Sequence, residues 1–169
     1  MTNTATNQPP ASLLVIGYGN TLRGDDGVGP RVAEAVGALG LANVRTLICQ
    51  QLSPEHAVPI AVAEIVVFVD ASVDAPAQVQ WRPILPSNTS QLMAHAADPG
   101  TMLALARDVF GHVPCAWWLT IPAVNLAFTE ELTATARRGC VEAVEKIRVL
   151  CTQGSRAFAG EASRSGNGR

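Results

Sequence analysis

The residues best equipped for chemistry in this chain are carboxylates and an imidazole: the adjacent Asp25 and Asp26, then Asp70, then His95. Two carboxylate oxygens, from Asp25 or Asp26 and from Asp70, with the His95 nitrogen around one point suit a borderline divalent ion such as nickel or zinc, with positions left open for water or substrate. Their separations along the chain do not bring them together. Only the elements that carry them can do that. Taken singly, each has a plainer role: Asp25 as a cap of the first helix, Asp70 as a turn cap, His95 as an ordinary surface or hydrogen-bonded histidine.

Covalent nucleophiles are poorly represented. There is no Gly-x-Ser-x-Gly elbow. His112 and Cys115 are close in sequence, but Cys115 borders an apolar strand, and Lys146, flanked by Glu142, Glu145 and Arg148, reads as a solvated charge. The four cysteines, Cys49, Cys115, Cys140 and Cys151, lack Cys-x-x-Cys spacing and read as buried free thiols. His56, in a helix's first turn, reads as surface.

The element that positions the aspartate pair spans residues 13–36. Four apolar residues, Leu13 to Ile16, end at Gly17 and read as a buried strand from about Ser12. A turn with five glycines follows, and Val28, Val32, Ala35 and Val36 return at helical spacing in a helix expected to run to about Leu39. Asp25 and Asp26 therefore sit where a strand's carboxyl end opens into the crevice of an α/β sheet. A nucleotide cradle is the first alternative, and it fails. After Gly17 and Gly19 the third fingerprint position is Leu22, the second strand ends in Cys49-Gln50-Gln51 without a ribose-binding acid, and no Gly-Lys-Ser/Thr occurs. Two adjacent carboxylates also repel a phosphate. The loop is suited to a cation.

The second strand is expected over about Val44–Ile48. Ser53 as N-cap, Pro54 at the first helical position and Glu55 beside it start a helix ending near Ala63. Glu64 to Asp70 holds five consecutive apolar residues closed by a carboxylate, the pattern of a central parallel strand buried on both faces. Asp70 is thus expected to face the Asp25–Asp26 loop. Gln78–Ile84 reads as an edge or antiparallel strand, and Asp98-Pro99 as the cap and start of a helix through Phe110, with Met102, Leu103, Leu105, Ala106 and Val109 on its core face. Ala116–Ile121 is the last strand, and a helix over about Thr133–Cys151 turns Ala136, Cys140, Ala143, Val144 and Ile147 inward. Alternating strands and helices imply a three-layer α/β/α sandwich with a mainly parallel sheet. One domain is expected over residues 12–151, with a mobile arm at 1–11 and a disordered tail at 152–169.

With 169 residues, 48% hydrophobic and 15% charged, the chain can bury one sizeable core. A net charge of −2 offers no basic field for nucleic acid, and the longest apolar runs are too short to span a bilayer. A cytoplasmic protein is expected.

The run Gly17, Gly19, Asn20, Leu22, Asp25, Asp26, Gly27 and Gly29, at the turn from first strand to first helix, resembles the signature of the hydrogenase maturation proteases. The stretch from His95 through Asp98-Pro99 to Leu103 resembles one branch of that family. The resemblance implies a five-stranded mixed sheet and an endopeptidase that removes the C-terminal extension of a nickel-iron hydrogenase large-subunit precursor. It places the catalytic, metal-contacting trio on Asp26, Asp70 and His95, with Asn20 bracing the loop, Gly17, Gly19 and Gly27 shaping it, and Asp25 turned toward the loop's backbone amides. It implies nickel carried by the precursor rather than a tightly bound cofactor; a monomer is expected. Where many members carry Asp-Gly-Gly after the second strand, this chain has Cys49-Gln50-Gln51 on the crevice rim. A self-contained zinc-type metallohydrolase, or a non-catalytic nickel or large-subunit chaperone, are the competing readings.

Overall fold

The structure is a computed structural model that describes residues 12–74, 78–88 and 98–153. Five strands form one sheet: β1 (Leu13–Tyr18), β2 (Val44–Cys49), β3 (Ile65–Ser72), β4 (Gln80–Pro83) and β5 (Cys115–Pro122), in the order β2-β1-β3-β5-β4. All neighbours are parallel except β4, which runs antiparallel to β5 at one edge. Every residue of β1 is buried, as are the first five of β3, because both strands are sandwiched between helical layers.

Strand periodicity sorts the core into two halves. Leu13, Val15, Val67 and Val69 pack with α1 (Val28–Ala38) and α4 (Ala134–Gln153), while Leu14, Ile16, Val66 and Phe68 pack with α2 (Ala57–Ala61) and α3 (Pro99–Phe110). The three-layer sandwich and its mixed five-stranded sheet are as the sequence and the resemblance imply. No helix among the described residues is long and apolar enough to cross a membrane.

Several details differ from the sequence reading. The helix expected over Pro54–Ala63 is instead a 3-10 turn, Pro54–His56, followed by the short α2. Pro59 explains the break: its ring has no N–H and collides with the carbonyl four residues earlier, so a regular α-helix cannot pass through Glu55. His56 is half-buried rather than exposed, since its Nδ1 accepts the Ser53 N–H at 2.9 Å. β3 continues through Ser72 because β5 is long enough to pair Asp70 with Thr120 and Ser72 with Pro122, so Asp70 lies inside the strand rather than closing it. On α1 it is Ala33, not Ala35, that faces the core, and Val109 on α3 is 65% exposed, in a last turn whose residues 107–110 are all exposed. None of the cysteines is fully buried; Cys115 is exposed and the other three are half-buried and free. α4 extends two residues past the expected boundary, to Gln153. The expected arm at 1–11 and the tail from residue 154 lie outside the described residues.

Candidate active site

The site follows from strand order. The chain leaves β1 for β2 on one side and returns to β3 on the other, so the connections that follow β1 and β3 run in opposite directions along the sheet at a topological switch point, where α/β sheets bind ligands. The β1–α1 loop fills one wall of that crevice. It lies close against the sheet: a Cβ on Gly17 would collide with the Gly29 carbonyl, and one on Gly29 with the carbonyls of Tyr18 and Val69. Gly19, at φ 135°, takes a conformation that side chains oppose.

Within the loop, Asp26 Oδ2 accepts the Asn20 N–H at 2.8 Å, and Asn20 Oδ1 accepts the Leu22 N–H at 2.9 Å. Asn20 thus bonds at both its N–H and its side chain within the loop. Asp26 is left half-exposed at the crevice. Asp25 points the other way and is 0% exposed. Its partners are not the loop's own amides. They belong to the β5–α4 connection: Val124 N–H at 2.8 Å and Asn125 N–H at 3.1 Å on Oδ2, Thr133 N–H at 2.7 Å on Oδ1, and the Thr133 hydroxyl at 2.9 Å. Backbone bonds run alongside, from Gly24 N–H to Thr129 O at 2.7 Å and from Asp25 N–H to Asn125 O at 2.9 Å. Burial alone would raise the Asp25 pKa, but the hydrogen bonds from Thr133, Val124 and Asn125 outweigh it and hold the carboxyl below its ordinary value. Asp25 is an anion at neutral pH that ties two loops together.

Asp70 has the opposite electrostatics. Its Oδ1 accepts the Ala71 N–H at 2.8 Å. Burial pushes its pKa up to about 6; hydrogen bonds from the Tyr18 hydroxyl and Ala71 restrain the rise, and the charge of Asp26 adds to it. Asp26 and Asp70 are thus brought within electrostatic reach of one another across the crevice. Tyr18 is held protonated well above the usual phenol range, by burial first and then by Asp70, with Asp98 contributing. It donates to Asp70 at any working pH. Asp98 caps α3 as the sequence indicates, its Oδ1 accepting Gly100 N–H at 2.6 Å and Thr101 N–H at 3.2 Å.

His95 lies outside the described residues. Among the described residues, no group of three or more His, Cys, Asp or Glu side chains is placed to hold a metal ion. The rim stretch at Cys49 meets the loop directly, its carbonyl accepting the Gly19 N–H at 3.2 Å. His112 and Cys115 form no catalytic pair; His112 Nε2 lies 3.1 Å from the Ala63 carbonyl.

Tyr18 is the site residue that sequence reasoning passed over. A signal existed: in β1 the parity of Leu14 and Ile16 carries Tyr18 to the same face, and in β3 the parity of Val66 and Phe68 carries Asp70 there. The partners of Asp25, about a hundred residues away, left no comparable mark.

A three-layer α/β sandwich with a carboxylate-lined crevice at its switch point defines the structural class, and it is the fold of the hydrogenase maturation proteases. Solved structures similar to this chain include the hydrogenase maturating endopeptidase HybD from E. coli, with a TM-score of 0.62 and 21% identity over 84% of this chain and 93% of that one. The [NiFe] hydrogenase maturation protease HycI from Thermococcus kodakarensis KOD1 gives 0.66 and 18% over 86% and 95%. The hydrogenase 2 maturation peptidase from Thaumarchaeota archaeon SCGC_AB-539-E09 gives 0.60 and 24% over 84% and 97%. At these identities the likeness establishes the fold. No family model and no curated protein matches the sequence.

Proposed function

We propose that this chain is an endopeptidase that removes the C-terminal extension of a nickel-iron hydrogenase large-subunit precursor once nickel has been inserted. The observation that carries the reading is the pairing of Asp26 and Asp70 across the switch-point crevice, on a fold shared with proteins named as hydrogenase maturation proteases. In this reading the nickel belongs to the substrate. Asp26, Asp70 and His95 contact it and so seat the precursor with its scissile bond in the crevice, while Tyr18 orients the Asp70 carboxylate. Water adds to the scissile carbonyl and the C–N bond breaks, leaving a new carboxylate on the large subunit and a free amine on the released peptide. The enzyme is cytoplasmic and monomeric, with no resident metal.

The test is to mix the purified protein with nickel-loaded and nickel-free precursor and follow the precursor's mass. Loss of a C-terminal peptide from the nickel-loaded form alone is expected. Cleavage indifferent to nickel would instead favour a self-contained metallohydrolase, and a stable complex without cleavage a chaperone.

Acid should suppress the reaction. A cation binds the ionised carboxylate, and Asp70 in the free enzyme is neutral below a pKa of about 6. Thus kcat/KM is expected to fall by about tenfold per pH unit below that value and to level off above it. Initial rates between pH 5 and 8 measure this; a profile still flat at pH 5 would remove Asp70 from substrate contact.

A further inference from the structure

Beside the Asp26–Asp70 crevice lies a cavity of about 370 Å³ with walls from Ser72, Asp74, Gln80, Arg82, Trp118 and Thr120. The sheet register ties it to the site. Asp70 pairs with Thr120 and Thr120 with Gln80, while Phe68 pairs with Trp118 and Trp118 with Arg82. Cross-strand partners share a face, so these two rows continue the face that bears Asp70 out to the sheet edge.

Arg82 is the distinctive group. Its guanidinium lies over the Trp118 ring, 4.4 Å from the centroid, with the rest of the side chain exposed. Among the described residues no carboxylate pairs with it; the ion pairs there are Arg107–Asp108, Lys146–Glu142 and Arg148–Glu145. An arginine stacked on an indole with its N–H edge unpaired is preorganised for a carboxylate, which it can take bidentately. Thr120, buried to 9% exposure on the same face, adds a hydroxyl. Asp74 on the opposing wall is exposed and has no ion-pair partner among the described residues. Its charge is screened by water, which weakens its repulsion of an anion bound at Arg82.

We propose that this cavity is a substrate subsite in which Arg82 binds a carboxylate of the peptide being cleaved, an inference that rests on the peptidase reading. Two strand spacings across, about 10 Å, and two residues along the strand, about 7 Å, put Arg82 about 12 Å from Asp70, or roughly three to four residues of extended peptide. The carboxylate is therefore an acidic side chain about three to four residues from the scissile bond, or the chain terminus of a short extension.

The test needs no cleavage. An acetylated, amidated tetrapeptide with one glutamate, its glutamine analogue, and tetra-alanine with a free C-terminal carboxylate are titrated against the protein while the Trp118 indole N–H is followed by NMR. A saturable shift is expected with a carboxylate peptide and not with the glutamine analogue. Affinity should weaken roughly tenfold in Arg82→Met, the scale of one charge-assisted hydrogen bond, and less in Arg82→Lys, which keeps the charge. Which carboxylate peptide binds identifies the source. Absence of binding, equal binding of the glutamine analogue, or indifference to Arg82→Met overturns the subsite. Precursor cleavage by the wild type is scored separately: cleavage without peptide binding removes the subsite and leaves the peptidase reading, whereas peptide binding without cleavage leaves a carboxylate-binding site and removes both the peptidase reading and the substrate role given to that site.

Discussion

Asp70→Asn is expected to abolish precursor cleavage and, at pH 7, to melt at a higher temperature than the wild type. The two effects share one cause. Asp70 is held where its charged form is disfavoured, with a pKa raised from 3.8 to about 6. In the wild type the folded state therefore binds the proton more tightly than the unfolded chain. Stability falls as pH rises from near 4 to near 6 and stays at the lower level above it. A shift of about two pKa units corresponds to at most about 3 kcal/mol. Asparagine resembles the neutral acid and still accepts from Tyr18, so it recovers much of that energy at pH 7 and almost none at pH 4. For a chain of this size the gain is several degrees of melting temperature, roughly 2–4 °C per kcal/mol. On the proposed function, cleavage loses a charge that meets the substrate's cation, a loss of at least about 100-fold on the scale of one preorganised electrostatic contact. Thermal melts at pH 4 and 7, with the mass assay alongside, test both halves. An active Asp70→Asn, or one that melts lower at pH 7, would contradict this account of the site.

Asp25→Ala produces the opposite pattern, a large loss of stability. Its carboxylate is fully buried and accepts four hydrogen bonds, three of them backbone N–H groups from Val124, Asn125 and Thr133. Alanine leaves those donors without an acceptor inside the protein. The expected cost is about 3–5 kcal/mol, as for removing one partner of a buried charged network. Because the Asp25 pKa is lowered on folding, its contribution is complete above the ordinary carboxylate range and disappears as pH falls through the folded-state value. The penalty of Asp25→Ala should accordingly shrink in acid. Urea denaturation at pH 7 and pH 3 measures it, and a cost below about 1 kcal/mol at pH 7 would mean that the two loops hold together without this anion. Neighbours in sequence thus divide the work: Asp25 builds the crevice wall and Asp26 faces the crevice.

Much of this architecture was already visible in the one-dimensional pattern. A buried strand, a glycine turn with two acids and a helix, followed by a second apolar run leading to Asp70, suffice to place both carboxylates at one sheet edge, because parallel strands deliver their carboxyl ends to the same side. Hydrophobic periodicity and helix caps are local, so Val28 and Asp98 marked their helices correctly, while Ser53 marked the start of a 3-10 turn where a longer helix is expected. The sequence reading failed at one local signal, Pro59 inside an apolar helical pattern, and at one distant constraint, the length of β5, which prolongs β3 past Asp70. Only the tertiary structure decided which of the adjacent aspartates is structural, since that depends on amides about a hundred residues away in the β5–α4 connection. It alone raised the Asp70 pKa, by burying the carboxyl beside Asp26. It alone set Arg82 against Trp118 next to the site, because strand register is a property of the folded sheet. Residue types state which charges a chain carries; burial and long-range pairing determine what each charge costs, and hence what it can do.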